Sequence, residues 1–177
     1  AGRAFPVTVD PAIYAAKANI SDTYINSNSA SSSSSFESGG TMTVGQLYTG
    51  GECIAYWKTS TLPTIPNNAY ITSAELSFYL SSLNKGADIL SKTLGAYAVT
   101  SDRDLSHTWV EFANGSGDIG DLYYFTKLTS DSVGEHITFD LTELTNKWLS
   151  GDVVNYGIAI RQMDSDYGTA NFHSSEA

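Results

Sequence analysis

The residues from Ala74 to Leu80 alternate more cleanly than any other part of the chain. Ala74, Leu76, Phe78 and Leu80 fall on one side, and Glu75, Ser77 and Tyr79 on the other. A period of two is the signature of a strand with one face in a core and the other in water. Shorter segments of strand character recur along the sequence, at 5–9, 22–26, 41–47, 53–58, 94–99, 108–112, 123–128, 136–141, 157–161 and 170–172. Many short strands separated by polar turns predict an all-β chain, an antiparallel β-sandwich of the jelly-roll kind. Eleven Tyr and seven Phe agree with this, since aromatic side chains suit a pleated, half-buried surface.

One short helix is expected near 141–150. Asp140 and Glu143 have the spacing of a capping box, and Phe139 and Leu144 that of a hydrophobic staple. Leu141, Leu144 and Trp148 form an apolar stripe, and Gly151 is placed to end the helix. Such a helix would plug one end of the sandwich, with Trp148 as its anchor. The run from Ser29 to Gly40 holds seven serines and reads as a long surface loop, because it has little apolar surface to bury.

A length of 177 residues suits one domain: a lead-in at 1–19 and a sandwich at 20–177. Nine basic residues against nineteen acidic give a net charge of −10, which argues against nucleic acid and anionic membranes as partners. It also argues against unassisted binding of acidic polysaccharide. The single Cys53 excludes an internal disulfide and lies in an apolar run, as a buried, inert thiol would. No stretch approaches the ~20 apolar residues of a membrane helix. The abrupt start at Ala1 and end at Ala177 suggest a piece of a longer protein.

Catalysis finds no support in the motifs. No G-x-S-x-G occurs, and His107, His136 and His173 lack the spacing of a zinc site. The nineteen acids pick out no glycosidase pair. An enzyme is therefore not expected. Asn114, Ser116 and Asp118 alternate in a Gly-rich segment with Asp121 close behind, as at the start of a calcium loop, though an Asx-rich turn has the same composition. Calcium is thus a possible structural cofactor. Asp164 and Asp166 form a second D-x-D.

The surplus of aromatics is the other signal. Sugar rings stack on aromatic faces, and Tyr and Trp add a polar handle. Trp109, Tyr124 and Tyr167 are the candidates for stacking on a carbohydrate. Arg161, on an otherwise apolar strand, is a candidate hydrogen-bond partner, with a structural ion pair as the alternative.

Several segments, in order, carry a family likeness. The C-terminal third has Phe139-Asp140-Leu141-Thr142, Trp148-Leu149-Ser150-Gly151, Asn155-Tyr156-Gly157-Ile158 and Phe172-His173-Ser174-Ser175-Glu176. Earlier come Asp22-Thr23-Tyr24-Ile25, Thr43-Val44-Gly45, Leu62-Pro63 with Ile65-Pro66, and Ile71-Thr72-Ser73-Ala74. Over roughly residues 20–176 this resembles the DNRLRE domain, a carbohydrate-binding-module-like family. Phe5-Pro6-Val7-Thr8-Val9-Asp10-Pro11 resembles the segment preceding that domain in bacterial Rhs-repeat and wall-associated proteins. Trp109-Val110-Glu111 keeps only part of the family's middle pattern, and Glu52 or Cys53 stands where it often has a basic residue. The resemblance implies a non-catalytic module of a secreted or cell-surface protein, with polysaccharide or cell-wall glycan and neighbouring domains as partners. The alternative is a structural or adhesive spacer in a parent of the same kind.

Overall fold

A computed structural model describes residues 19–28, 33–36, 39–66, 69–85, 91–102, 108–114 and 118–175. The expected lead-in strand at 5–9 lies outside them. The strands are β1 (Ile20–Asn26), β2 (Thr41–Gln46), β3 (Glu52–Thr59), β4 (Glu75–Lys85), β5 (Ser91–Val99), β6 (Ile119–Thr129), β7 (His136–Asp140), β8 (Ile158–Gln162) and β9 (Gly168–His173). They are joined by two helices, α1 (Trp109–Asn114) and α2 (Thr142–Ser150).

The strand order is β6-β5-β8-β3-β2-β9-β4-β7, with β1 against the free side of β3. It divides into two layers, β1-β3-β8-β5-β6 and β2-β9-β4-β7. A single pair, Gly45 with Cys53, links β2 to β3 and so one layer to the other. All pairings between strands are antiparallel, and apart from β5–β6 and the single β2–β3 pair they join strands that are not consecutive in the chain. This is the order of a jelly roll, in which the chain crosses repeatedly between two facing sheets.

The main core lies between the layers. Val44, Leu80, Leu94, Leu128, Phe139, Leu144 and Ile158 are fully buried in it. The alternation in β4 holds: Phe78 and Leu80 point inward while Glu75 and Ser77 are exposed. A second cluster, Ile25, Ile54, Val99 and Ala159, lies on the other face of the β1-bearing layer. β3 is therefore buried on both sides, with Ala55 and Trp57 in the main core and Ile54 in the second. That is why Cys53-Ile54-Ala55-Tyr56-Trp57 reads as a continuous apolar run rather than an alternating one. Cys53 is fully buried. Burial, with the Glu52 charge adding to it, pushes its thiol up to about 12.

Two expectations need correction. Residues 108–112 are not a strand; Trp109 begins α1. Thr108 and Glu111 close a capping box there. The Thr108 amide and hydroxyl donate to Glu111 Oε2 at 2.7 and 2.8 Å, and the Glu111 amide donates back to Thr108 Oγ1 at 3.5 Å. The Thr-x-x-Glu spacing is in the sequence, but the β-branched and aromatic residues around it suggest a strand. In α2 the box expected of Asp140 and Glu143 does not form. The helix begins one residue later, with Leu141 as its N-cap. Asp140 instead accepts from the Thr142 amide and hydroxyl, which hold its carboxyl below the usual range. Glu143 pairs with Lys147 at 2.8 Å. The rest of α2 follows its sequence. Leu141, Leu144 and Trp148 are buried, and Gly151 ends the helix at φ 82°.

Candidate functional site: the sheet face around Arg161

The β1-bearing layer turns part of its outer face to solvent. Gly95 of β5 pairs with Phe125 of β6 on one side and with Arg161 of β8 on the other. The three residues form one row across three strands, so Phe125 and Arg161 stand roughly 10 Å apart, at ~4.8 Å per strand. A glycine in mid-strand leaves a gap in such a row. The Tyr97 ring and the Leu122 side chain fill it. A Cβ added to Gly95 would meet Tyr97 Cε2 at 2.7 Å, Leu122 Cδ1 at 2.8 Å and Tyr97 Cζ at 3.0 Å. Phe125 beside them is 61% exposed.

Arg161 supplies the charge on this face. Its Nε and one terminal nitrogen donate to the two oxygens of Glu52 at 2.7 and 2.9 Å, the parallel two-bond arrangement that fixes a guanidinium in place. The pair is lopsided: the Glu52 side chain is 11% exposed and the Arg161 side chain 44%. The bonds to Glu52 raise the Arg161 pKa further, and the nearby phenols of Tyr97 and Tyr56 add to this. A guanidinium has five N–H donors, so those not directed at Glu52 stand at an exposed surface. The row thus combines apolar ring surface with a rigidly held donor. Of the two roles foreseen for Arg161, the ion pair is present and the exposed donor remains.

The other aromatic candidates are dispersed. Trp109 is half-buried against the second core cluster. Tyr124 is half-buried and meets Phe139 edge-on at 6.3 Å. In a regular strand Tyr123 and Tyr124 would face opposite sides, but β6 is bulged there. Ala96 pairs with Tyr124 and Tyr97 with Leu122, leaving Tyr123 as the extra residue, and both tyrosines pack on the main core. Tyr167 is exposed, and its ring stacks on that of Tyr48 at 5.8 Å and 20°. Tyr48, in the β2–β3 turn, carried no pattern that would have singled it out. Gly95 did have a signal, as a glycine inside an apolar strand.

Of the four calcium candidates, the Asn114 side chain and Ser116 lie outside the described residues. Asp118 is buried, its Oδ1 accepting from Ser101 Oγ at 2.6 Å, and Asp121 is exposed. Among the described residues no three His, Cys, Asp or Glu side chains gather as metal ligands would. His107 lies outside the described residues. His136 and His173 do converge, on the two sides of Tyr79, at 5.5 and 4.9 Å between ring centres. In comparisons with known proteins the chain matches no family model and no curated protein.

Proposed function

We propose that this chain is a non-catalytic, extracellular module of a larger secreted or cell-surface protein, and that it binds polysaccharide across the sheet face around Arg161. The observation that carries the proposal is the Phe125–Gly95–Arg161 row with the Tyr97 ring over its centre. A pyranose presents an apolar C–H face and a polar rim. Ring surface beside an immobilised guanidinium matches both. The likeness to the DNRLRE domain supports the same class of ligand. A neutral polymer is favoured, because a chain of net charge −10 repels a polyanion.

Affinity electrophoresis through neutral and acidic cell-wall and algal polysaccharides, with and without calcium, tests this. The wild-type chain is expected to be retarded by at least one neutral polymer. Phe125→Ala should abolish most of that retardation while leaving stability within about 0.5 kcal/mol, as for other exposed positions. Retardation by no polymer, or full retardation of the Phe125→Ala chain, refutes the assignment.

A further inference from the structure

The end of the sandwich where β4 finishes contains a buried lysine in an unusual setting. Lys92 is 0% exposed. Its Nζ lies 3.1 Å from Gln162 Oε1, 2.8 Å from the Asp166 carbonyl oxygen and 3.9 Å from Asp164 Oδ1. Gln162 is held with its amide oriented by its surroundings. Oε1 also accepts the Gln46 amide at 3.2 Å, while Nε2 faces Asp164 Oδ1 at 2.6 Å, the Asp166 carbonyl at 2.6 Å and the Asp164 carbonyl at 3.0 Å. Asp164 is itself fixed, since its Oδ2 accepts the Thr93 amide at 2.7 Å.

Two glycines make room for this group. Gly45 and Gly168 have φ of 133° and 121°, where an L side chain is strained. A Cβ on Gly45 would reach 2.8 Å from Gln162 Oε1, and one on Gly168 would reach 2.9 Å from Lys92 Cε. An amine and a carboxamide polarised by a backbone N–H are thus packed together out of water, beside a partly exposed carboxylate that touches the amide nitrogen.

We propose that Lys92 and Gln162 join in an intramolecular isopeptide bond, with Asp164 carrying the protons. Lys92 gives one proton to the Asp164 carboxylate, and the freed Nζ lone pair attacks Gln162 Cδ. The C=O electron pair moves onto Oε1, where the Gln46 N–H stabilises it. When it returns, the Nζ–Cδ bond stays and the Cδ–Nε2 bond breaks. Nε2 takes a proton back from Asp164 and a second that came from Nζ, and leaves as ammonium. The balance is one lysine ammonium and one glutamine carboxamide giving one secondary amide and one ammonium ion, with no oxidant and no external reagent. Burial lowers the Lys92 pKa, which favours the amine form that attacks, although the Asp164 and Asp166 charges oppose this. Amine–amide exchange is slow between free molecules. Fixed neighbours gain effective molarities of up to about 10⁵–10⁸ M. Exclusion of water also protects the carboxamide from hydrolysis.

The test is the intact mass of the full chain, denatured after purification from a sample that melts cooperatively. The wild type is expected to be lighter than its sequence by one ammonia. Trypsin should leave the Lys92–Thr93 bond uncut and yield one branched peptide containing Lys92 and Gln162. Lys92→Arg and Asp164→Asn chains should have their full sequence mass. A folded wild-type chain at full mass overturns the proposal. So does loss of water, which would place the bond on a carboxylate. Loss of ammonia without the branched peptide overturns it too, because a succinimide at Asn114-Gly115 gives the same mass. A cross-linked Asp164→Asn chain removes Asp164 from the mechanism.

Discussion

The two ends of the sandwich are closed in opposite ways. β4 spans the distance between them: Glu75 at its start pairs with Asp140, just before α2, and Lys85 at its finish pairs with Gly168. At the first end Leu144 and Trp148 of α2, with its N-cap Leu141, insert into the main core. Polar clasps flank the plug: Asn146 accepts the Ile71 amide and donates to the Ile71 carbonyl, both at 2.8 Å, and Thr142 Oγ1 accepts the Ala74 amide at 3.0 Å. At the second end the closure is polar, built from Lys92, Gln162 and the carboxylate and carbonyls of the 164–166 turn. An apolar plug demands that its volume be filled but sets no requirement on direction. A buried polar cluster demands that every donor and acceptor find its partner.

Single substitutions should separate the two. The largest loss is expected for Trp148→Ala, about 4 kcal/mol by urea unfolding, because it empties a large site in the main core. Trp148→Phe should recover most of it, since the indole N–H is buried with no hydrogen-bond partner among the described residues and contributes only packing. A Phe variant as unstable as Ala would mean that the N–H has an acceptor after all. Lys92→Ala should cost somewhat less, about 3 kcal/mol, because it removes the proposed link to Gln162 and empties the fully buried site of the lysine chain. Were Lys92→Ala neutral, the polar end would be a passive lid.

Smaller effects come from each end's surroundings. Gly151→Ala forces a Cβ into the left-handed region at the end of α2 and should cost about 1 kcal/mol. Cys53 gives a pH test in the interior beyond both ends. Its folded pKa, about 12, lies above that of an exposed thiol, roughly 8.5. The stability this confers is complete below the unfolded value and is lost as pH rises towards the folded one. The folded chain should therefore resist thiol alkylation at pH 8 and react fully in denaturant. Rapid alkylation of folded protein would show that β3 opens.

The same contrast explains what could be read from the sequence. α2 was legible because its chemistry is a pattern: an apolar stripe at helical spacing, then a glycine. The β4 alternation was legible for the same reason. The polar end was not, since Lys92 and Gln162 look like ordinary solvent-facing strand residues until β5 and β8 are placed side by side. Arg161 stood out because it interrupts an apolar strand, but its partner Glu52 is 109 residues away in sequence. Simple alternation does not place Tyr123 and Tyr124, because one extra residue in β6 breaks the ladder there and both pack on the main core. Trp109 misled because its β-forming neighbours outweighed a two-residue cap.

The Ser175 amide donates to Asp22 Oδ2 at 2.7 Å, so the first and last described strands leave the sandwich side by side. Tension applied at Ile20 and Ser175 would enter and exit at one point. It would load that single contact and the nearest rungs of β1 and β9, peeling them in turn, while the β4–β7 and β5–β6 ladders stayed slack. Anchored there within a longer chain, the sandwich would hang from the line of force as a pendant.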